Sequence, residues 1–265
     1  MEKLPPLEIH RPRNEILGLL VDKLTLTEAV AQIEQWVVQK QIDPIASARR
    51  VVTANPEYVM FARRDAALRQ LVNRADMVTP DGAGLIVAGW LLGRPSVGRV
   101  TGVALSHALA RRSAESGLSL FLLGAAPGVA EAAAERFRQL YPGSLIAGTF
   151  AGQAGPEGDS ESLAQIQAAC PDVILVAYGM IKQDWWVGRN IEQSGAAVAI
   201  GVGGVLDYVS GRVPLAPASL RRMGLEWAYR LYKEPWRWRR MGALPRFGWA
   251  VFIAALQTPF NKVVK

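Results

Sequence analysis

One carboxylate, Asp81, directly follows the short apolar segment 75–79 and a proline. Pro80 restricts the backbone before it, and Gly82 permits a sharp turn after it. A carboxylate held at the end of a strand can act as a general base, which takes a proton from an attacking hydroxyl. The same residues are also typical of an ordinary turn, so both interpretations stay open at this point.

Three later strands of the predicted series end in glycine where a helix is expected to begin. Glycine lets a ligand approach the backbone closely, and a helix N-terminus offers N–H donors to phosphate. The spacing matches neither GxGxxG nor GxxxxGK[ST], so a dinucleotide and a P-loop nucleotide are disfavoured. The pattern favours another phosphate-containing ligand, with plain strand–helix turns as the alternative. The residues concerned are Gly124, Pro127, Gly128, Tyr178, Gly179, Gly203 and Gly204.

Other polar side chains occupy similar positions. Thr53 and Asn55 lie where a strand passes into a helix, although Asn55 is also the expected N-cap. Lys182 and Gln183 open a helix and could hold phosphate oxygens or a sugar hydroxyl, or could simply be solvated. Asp207 follows the last glycine turn, where the helix dipole favours an acid in any case.

Composition excludes several kinds of site. The 265 residues include one cysteine and two histidines, His10 and His107, so an internal disulfide is excluded and a zinc site is disfavoured. His107 fits an apolar helical pattern and is interpreted as a core residue. The sequence also lacks an Asp-x-Asp pair, which could hold a metal ion beside a diphosphate. If the ligand contains a diphosphate that leaves during a reaction, its negative charge would be neutralised by Lys, Arg and helix N-termini instead. Neither a signal peptide nor a membrane-spanning segment is expected.

Local signals place the first elements of the chain. The apolar segment 16–21 predicts a strand. Thr25 and Glu28 match a capping box, which predicts the start of a helix. Asn55 and Pro56 predict the start of another helix, which we expect to run to about residue 73.

The elements that position the candidate site residues alternate between strand and helix. This alternation predicts an α/β fold, with a mostly parallel sheet and helices on both faces. Ligands of such sheets bind outside the carboxyl ends of the strands. The alternation stops after Gly211. We therefore expect a catalytic core over residues 1–213 and a helical appendage over residues 214–265, which is too short to bury a core alone.

The predicted appendage is strongly basic and rich in tryptophan. Residues 212–265 contain eleven Lys or Arg against two acids, so this segment carries a net charge of +9 while the rest of the chain carries −2, which gives +7 in total. Four of the eight tryptophans lie in the same segment. This mixture suits an anionic partner, which could be a membrane surface, a nucleic acid or a phosphorylated ligand.

Six short motifs occur along the chain in a fixed order. Taken together, from about residue 16 to residue 246, they resemble the TagA/WecG/CpsF glycosyltransferases, glycosyltransferase family 26. They are Thr53-Ala-Asn-Pro-Glu57, Thr79-Pro-Asp-Gly82, Arg99-Val-Thr-Gly102, Leu120-Phe-Leu-Leu-Gly124, Gly201-Val-Gly-Gly204 and Gly224-Leu-Glu-Trp227. The chain departs from the family pattern at Leu215-Ala-Pro-Ala-Ser219, at Ile181 and at Leu206-Asp207-Tyr208.

The resemblance implies a Rossmann-like core and an inverting, metal-independent transferase. The donor would be a UDP-linked sugar of the N-acetylmannosamine type, and the acceptor a sugar linked to undecaprenyl diphosphate. The products of this family are teichoic acid linkage units, common antigen, capsule or exopolysaccharide. The enzyme would sit peripherally on the inner face of the cytoplasmic membrane, with its appendage touching the anionic surface and completing the site.

The resemblance also assigns roles to individual residues. Asp81 would be the catalytic base, and the glycine turns would hold UDP. The family's other catalytic positions fall on Thr53, Asn55 and Gln183, and arginines of the appendage are also implicated in catalysis. The candidate arginines are Arg237, Arg239, Arg240 and Arg246, of which Arg237 and Arg240 are taken as catalytic; Arg99, Lys182 and Asp207 are expected to bind substrate.

Two alternatives come from other functional classes. A nucleic-acid-binding α/β protein could use the basic tail, and its binding would weaken steeply with salt. A catalytically silent homologue could bind sugar nucleotides without transfer. The aromatic tail favours a membrane interface, so we expect no nucleic acid partner. Self-association into a homo-oligomer stays open.

Overall fold

The computed structural model describes residues 12–217, 219–220, 223, 225–233, 235, 238 and 242–257. Its centre is a six-stranded sheet in which every neighbouring pair is parallel. The strand order is β4-β3-β8-β7-β5-β6. This architecture confirms the predicted α/β fold with its parallel sheet. The strands are β3 (Arg49–Ala54), β4 (Met77–Pro80), β5 (Ser119–Gly124), β6 (Leu145–Phe150), β7 (Val173–Ala177) and β8 (Val198–Gly201).

Helices cover both faces of the sheet, as predicted. In chain order they are α1 (Leu26–Ile42), α2 (Pro56–Arg64), α3 (Ala66–Asn73), α4 (Ala83–Leu91), α5 (Gly102–Ser116), α6 (Val129–Leu140), α7 (Asp159–Ala169), α8 (Lys182–Ser194), α9 (Val205–Val209), α10 (Glu226–Lys233) and α11 (Ala243–Gln257). A short 3₁₀ helix, Pro156–Gly158, precedes α7.

The first element that the structure describes is a hairpin rather than the single strand expected over residues 16–21. Strands β1 (Arg13–Ile16) and β2 (Leu19–Asp22) pair antiparallel. Leu17 and Gly18 turn the chain with φ of 52° and 91°. The Asp22 carboxylate then accepts the backbone N–H of Val78 at 2.6 Å, so the hairpin satisfies a donor on the edge strand β4.

Local capping residues set the starts of the first helices. Thr25 and Glu28 form the predicted capping box of α1. Asn55 caps α2 and Pro56 occupies its first position, also as predicted. The helix expected to run on to residue 73 is instead two helices, because the Asp65 side chain accepts the N–H groups of Ala67 and Leu68 and starts α3.

A crevice lies between β3 and β8, because the helices that follow these two strands pack on opposite faces of the sheet. Val51 packs in the layer of α1, α5, α6 and α9, whereas Val52 packs with α2, α3 and α4. The neighbouring strands β3 and β8 thus send their following helices, α2 and α9, to opposite faces of the sheet. Such a switch point leaves an open crevice at the carboxyl ends of the strands.

The last described helix, α11, packs against α2 and α4. Its Phe247 and Val251 are buried in the same apolar cluster as Val59 of α2 and Leu85 of α4. Within the residues that the structure describes, no helix has the length and apolar character needed to cross a bilayer.

Candidate active site

A cleft of about 800 Å³ opens at the switch point between β3 and β8. Its walls come from the ends of β3, β4, β7 and β8, and from one side of α5. Polar groups from distant parts of the sequence converge there. Of the residues predicted from sequence, the cleft is lined by Thr53, Asn55, Asp81, Arg99, Tyr178, Gly179, Gln183, Gly203, Gly204 and Asp207.

Four predicted residues lie in the described part of the chain but outside the cleft lining. They are Gly124, Pro127, Gly128 and Lys182. The glycine turn after β5 is displaced because β7 and β8 separate β5 from β3 in the sheet. Glycine is needed at position 124 for packing rather than for a ligand, because a Cβ there would lie 2.8 Å from the carbonyl carbon of Ala177. Binding of UDP by this turn stays a prediction.

The appendage arginines are placed only in part. Arg237, Arg239 and Arg240 lie outside the described residues, so their catalytic assignment stays a prediction. Arg246 is exposed on α11.

Asp81 is held between the end of β3 and the start of α5. Its backbone N–H donates to the carbonyl oxygen of Ala54 at 2.7 Å. Its Oδ2 accepts the N–H of Gly102, the first residue of α5, at 3.0 Å. A helix N-terminus favours the ionised carboxylate, which is the form a general base requires. The stretch is therefore a turn that also places a carboxylate in the cleft wall.

Thr53 and Asn55 use their side chains within the protein while lining the cleft. The Thr53 hydroxyl donates to the carbonyl oxygen of Gly201 at 2.8 Å and so ties β3 to β8. The Asn55 Oδ1 accepts the backbone N–H of Tyr58 at 2.9 Å, which is the N-cap bond of α2. Both groups are consequently fixed in position before any ligand arrives.

Gln183 joins the turn after β7 to the turn after β8. Its Oε1 accepts the N–H of Gly203 at 2.8 Å, and the side chain is almost fully buried. A Cβ on Gly201 would lie 2.6 Å from the Gln183 Nε2, so glycine is needed there for close packing rather than for a ligand. Gln183, which was predicted to be catalytic, thus shapes the floor of the cleft.

A buried carboxylate, Asp184, lies next to Gln183 and was not singled out from the sequence. Burial raises its pKa from 3.8 to about 6, while the hydrogen bond from the Ile181 N–H acts in the opposite direction. Burial, together with the neighbouring Asp184 charge, raises the pKa of the Tyr58 phenol well above its ordinary value. Such a group beside a cleft is of functional interest.

Residues beyond 213 reach the mouth of the cleft. Pro214, Leu215 and Ala216 line it, and so does Glu226 at the start of α10. Glu226 Oε1 lies 3.2 Å from Arg99 Nη2, in a half-buried ion pair. Leu215 belongs to the segment that departs from the family pattern, so that departure forms part of the cleft wall.

Sequence reasoning missed His107 and Glu226. His107 was interpreted as a core residue, but it is half-buried on the cleft wall, with Nδ1 3.0 Å from the Tyr141 hydroxyl. Its position four residues after Val103, which also lines the cleft, was the available signal. Glu226 carried no local signal, because its partner Arg99 is more than a hundred residues away.

Comparison with known proteins bears directly on what this cleft does. The model of the glycosyl transferase WecG/TagA/CpsF family matches residues 14–261. The chain belongs to this family. The enzyme is therefore a glycosyltransferase of the hexosyl-transferring kind, and its cleft is the candidate site of sugar transfer.

Two relatives show how much of the transferase is shared. A protein of Bacillus spizizenii is 35% identical over 201 residues, which are 76% of this chain and 77% of the relative. One of Staphylococcus aureus strain MW2 is 31% identical over 230 residues, or 87% of each chain. Both carry the name N-acetylglucosaminyldiphosphoundecaprenol N-acetyl-beta-D-mannosaminyltransferase.

Proposed function

We propose that the enzyme moves N-acetylmannosamine, or a closely similar sugar, from a UDP donor to a sugar linked to polyprenyl diphosphate. The observation that carries this proposal is the position of Asp81 in the switch-point cleft of a chain that belongs to this transferase family. The names of the two relatives support the sugar and the acceptor. The product would serve a cell-envelope polysaccharide.

In the proposed reaction Asp81 acts as the base. A hydroxyl oxygen of the acceptor sugar bonds to the anomeric carbon of the donor, and the hydroxyl proton passes to the Asp81 carboxylate. The bond between the anomeric carbon and the phosphate oxygen breaks, and UDP leaves with the electron pair. Attack from the face opposite the leaving group inverts the anomeric configuration.

The departing diphosphate needs positive charge. Arg99 lines the cleft and is the described cation that we assign to this role. Arg237 and Arg240 of the appendage are proposed to add to it, so that transfer proceeds without a metal ion. Removal of one such electrostatic group typically costs about 10²–10³ in rate.

We also propose that the enzyme binds peripherally to an anionic membrane surface, where a polyprenyl-linked acceptor resides. Helix α11 leaves Trp249, Phe252 and Leu256 exposed along one side, and its neighbour α4 leaves Val87 and Trp90 exposed. Neither helix contains an acidic residue. Exposed aromatic stripes free of negative charge suit the headgroup region of a bilayer.

A UDP-release assay tests the reaction. The wild-type enzyme is given several UDP-sugars with a short-chain polyprenyl-diphosphate-linked N-acetylglucosamine acceptor, in the presence of EDTA. We expect release of UDP with UDP-N-acetylmannosamine and little with its C2 epimer. If no UDP-sugar is consumed, the proposed reaction is wrong; if EDTA alone abolishes turnover, only the metal-independent step is wrong.

Vesicle flotation tests the membrane surface. We expect the wild-type enzyme to float with vesicles of phosphatidylglycerol and phosphatidylcholine, and the variant Trp249→Ser/Phe252→Ser to float much less. Ile45→Ser, which changes an exposed apolar side chain in the loop before β3, is the matched control. Equal flotation of all three proteins would contradict this surface, and tight salt-sensitive DNA binding without flotation would favour a nucleic acid partner instead.

A further inference from the structure

An ion pair at the mouth of the cleft joins helix α10 to the core. Glu226, the first residue of α10, places its Oε1 3.2 Å from Nη2 of Arg99, which lies in the loop before α5. Both side chains line the cleft, and they are 29% and 27% exposed. The pair therefore connects a helix of the segment beyond residue 213 directly to the wall of the candidate active site.

Packing contributes little to the position of α10. None of its described side chains is buried, and Trp227 and Tyr232 are 44% and 77% exposed. The ammonium group of Lys233 lies over the rings of Tyr229 and Tyr232, so these contacts stay within the helix. A helix of eight residues is only marginally stable without tertiary contacts. We therefore expect the ion pair to matter for holding α10 against the cleft.

The charges around the cleft are unbalanced. Among the described residues that line it, four are acidic and Arg99 is the one arginine or lysine. The acidic residues are Glu57, Asp81, Asp207 and Glu226. A ligand that carries a diphosphate would thus meet negative charge, and Glu226 is the acid that is paired with the cation the ligand needs.

A diphosphate is well suited to replace Glu226 on Arg99. A guanidinium can donate two parallel hydrogen bonds to phosphate oxygens, whereas the structure shows a single hydrogen bond to Glu226. A partly exposed ion pair is also weak, so its exchange for a stronger partner costs little. Once phosphate oxygens occupy Arg99, the Glu226 carboxylate faces a group of its own sign and is repelled.

We propose that Glu226 is a latch, which holds α10 against the cleft until the diphosphate of the donor takes its place on Arg99. Binding of the donor is thereby coupled to release of α10. The identity of the donor rests on the proposed function, whereas the ion pair and the exposure of α10 are features of the structure. The experiment below separates the two.

The test variant is Glu226→Gln, which removes the charge of the latch and keeps the size of the side chain. Glu34→Gln is the matched control, because Glu34 pairs with Arg112 at 2.7 Å between α1 and α5, away from the cleft lining. All proteins are full-length. The ligands are UDP and inorganic pyrophosphate, which shares only the diphosphate with the proposed donor.

Amide hydrogen exchange without ligand tests whether the ion pair holds α10. We expect Glu226→Gln to accelerate exchange in peptides covering residues 225–233 about two- to fivefold, the scale of one partly exposed ion pair. High salt screens the pair, so it should accelerate these peptides in the wild type and change them little in the variant. Glu34→Gln should keep the wild-type rate. Equal rates in the wild type and in Glu226→Gln would overturn the latch.

Exchange with ligand tests the displacement. We expect saturating UDP or pyrophosphate to accelerate the same peptides in the wild type and in Glu34→Gln, and to add little in Glu226→Gln. If UDP binds and the wild-type peptides exchange no faster, the latch is wrong while the proposed function stands. If neither ligand binds, the latch and the diphosphate role of Arg99 are both wrong. If exchange accelerates as expected but no UDP-sugar is consumed, the proposed function is wrong and the latch stands.

Discussion

Substitution of Asp81 by asparagine separates its two roles in the structure. The carboxylate accepts the backbone N–H of Gly102 at 3.0 Å. The amide oxygen of asparagine can accept the same bond, so the start of α5 should keep its position. The amide cannot take up the acceptor proton, and loss of a general base typically costs about 10²–10⁴ in rate, or roughly 3–5 kcal/mol in the activation barrier.

The assay compares Asp81→Asn with Asp81→Ala. We expect kcat to fall to a similar low value in both, whereas UDP affinity and melting temperature stay near wild type only in the asparagine variant. Alanine also loses the bond to Gly102, which should cost about 1 kcal/mol of unfolding free energy. If Asp81 only capped α5, Asp81→Asn would keep most of its activity. A kcat within a few fold of wild type for Asp81→Asn would therefore refute the base assignment.

Three further substitutions test other parts of the site. Gly201→Ala places a carbon 2.6 Å from Nε2 of Gln183. We therefore expect the free energy of unfolding, measured with urea, to fall by about 1–3 kcal/mol, and to fall less when Gln183→Ala is also present. Glu226→Gln removes the carboxylate beside Arg99; UDP affinity, measured by titration calorimetry, should rise by up to about fivefold, and a fall would contradict this. Asp184→Asn removes a carboxyl whose pKa is about 6 in the folded chain and 3.8 ordinarily. Because the folded state holds that proton more tightly than the unfolded state, the carboxyl's contribution to the free energy of unfolding falls by about 3 kcal/mol in total as the pH rises from about 4 to 6. Urea unfolding at several pH values should show this fall in the wild type and not in the variant.

Local features of the fold were predictable because they depend on neighbouring residues. The start of α1 is indicated by Thr25 with Glu28, and the start of α2 by Asn55 with Pro56. In each case the residues lie within three positions of one another. The break at Asp65 is local too, since its side chain accepts the N–H groups of Ala67 and Leu68, but the sequence analysis extended one helix across it. Asp81 could be singled out for the same reason, since its flanking Pro and Gly mark the end of a strand.

The composition of the cleft was less predictable because it depends on strand order. The glycine turns after β5, β7 and β8 look alike in the sequence, yet only the turns after β7 and β8 line the cleft. Gly203 follows β8, which pairs with β3, whereas Gly124 ends β5, two strands farther away. No residue near Gly124 signals this distance, since long-range pairing sets it. The ion pair of Arg99 and Glu226 escaped sequence reasoning for the same reason.

The packing of α11 against α2 and α4 has a practical consequence for any truncated form of this enzyme. Phe247 and Val251 cover Val59 and Leu85, which belong to the helices that follow β3 and β4. Truncation before residue 243 would uncover this apolar surface and withdraw support from the two helices that begin beside Asn55 and Asp81. Loss of activity on truncation would therefore combine misfolding with loss of the proposed membrane contact, and single surface substitutions on α11 are the cleaner way to separate them.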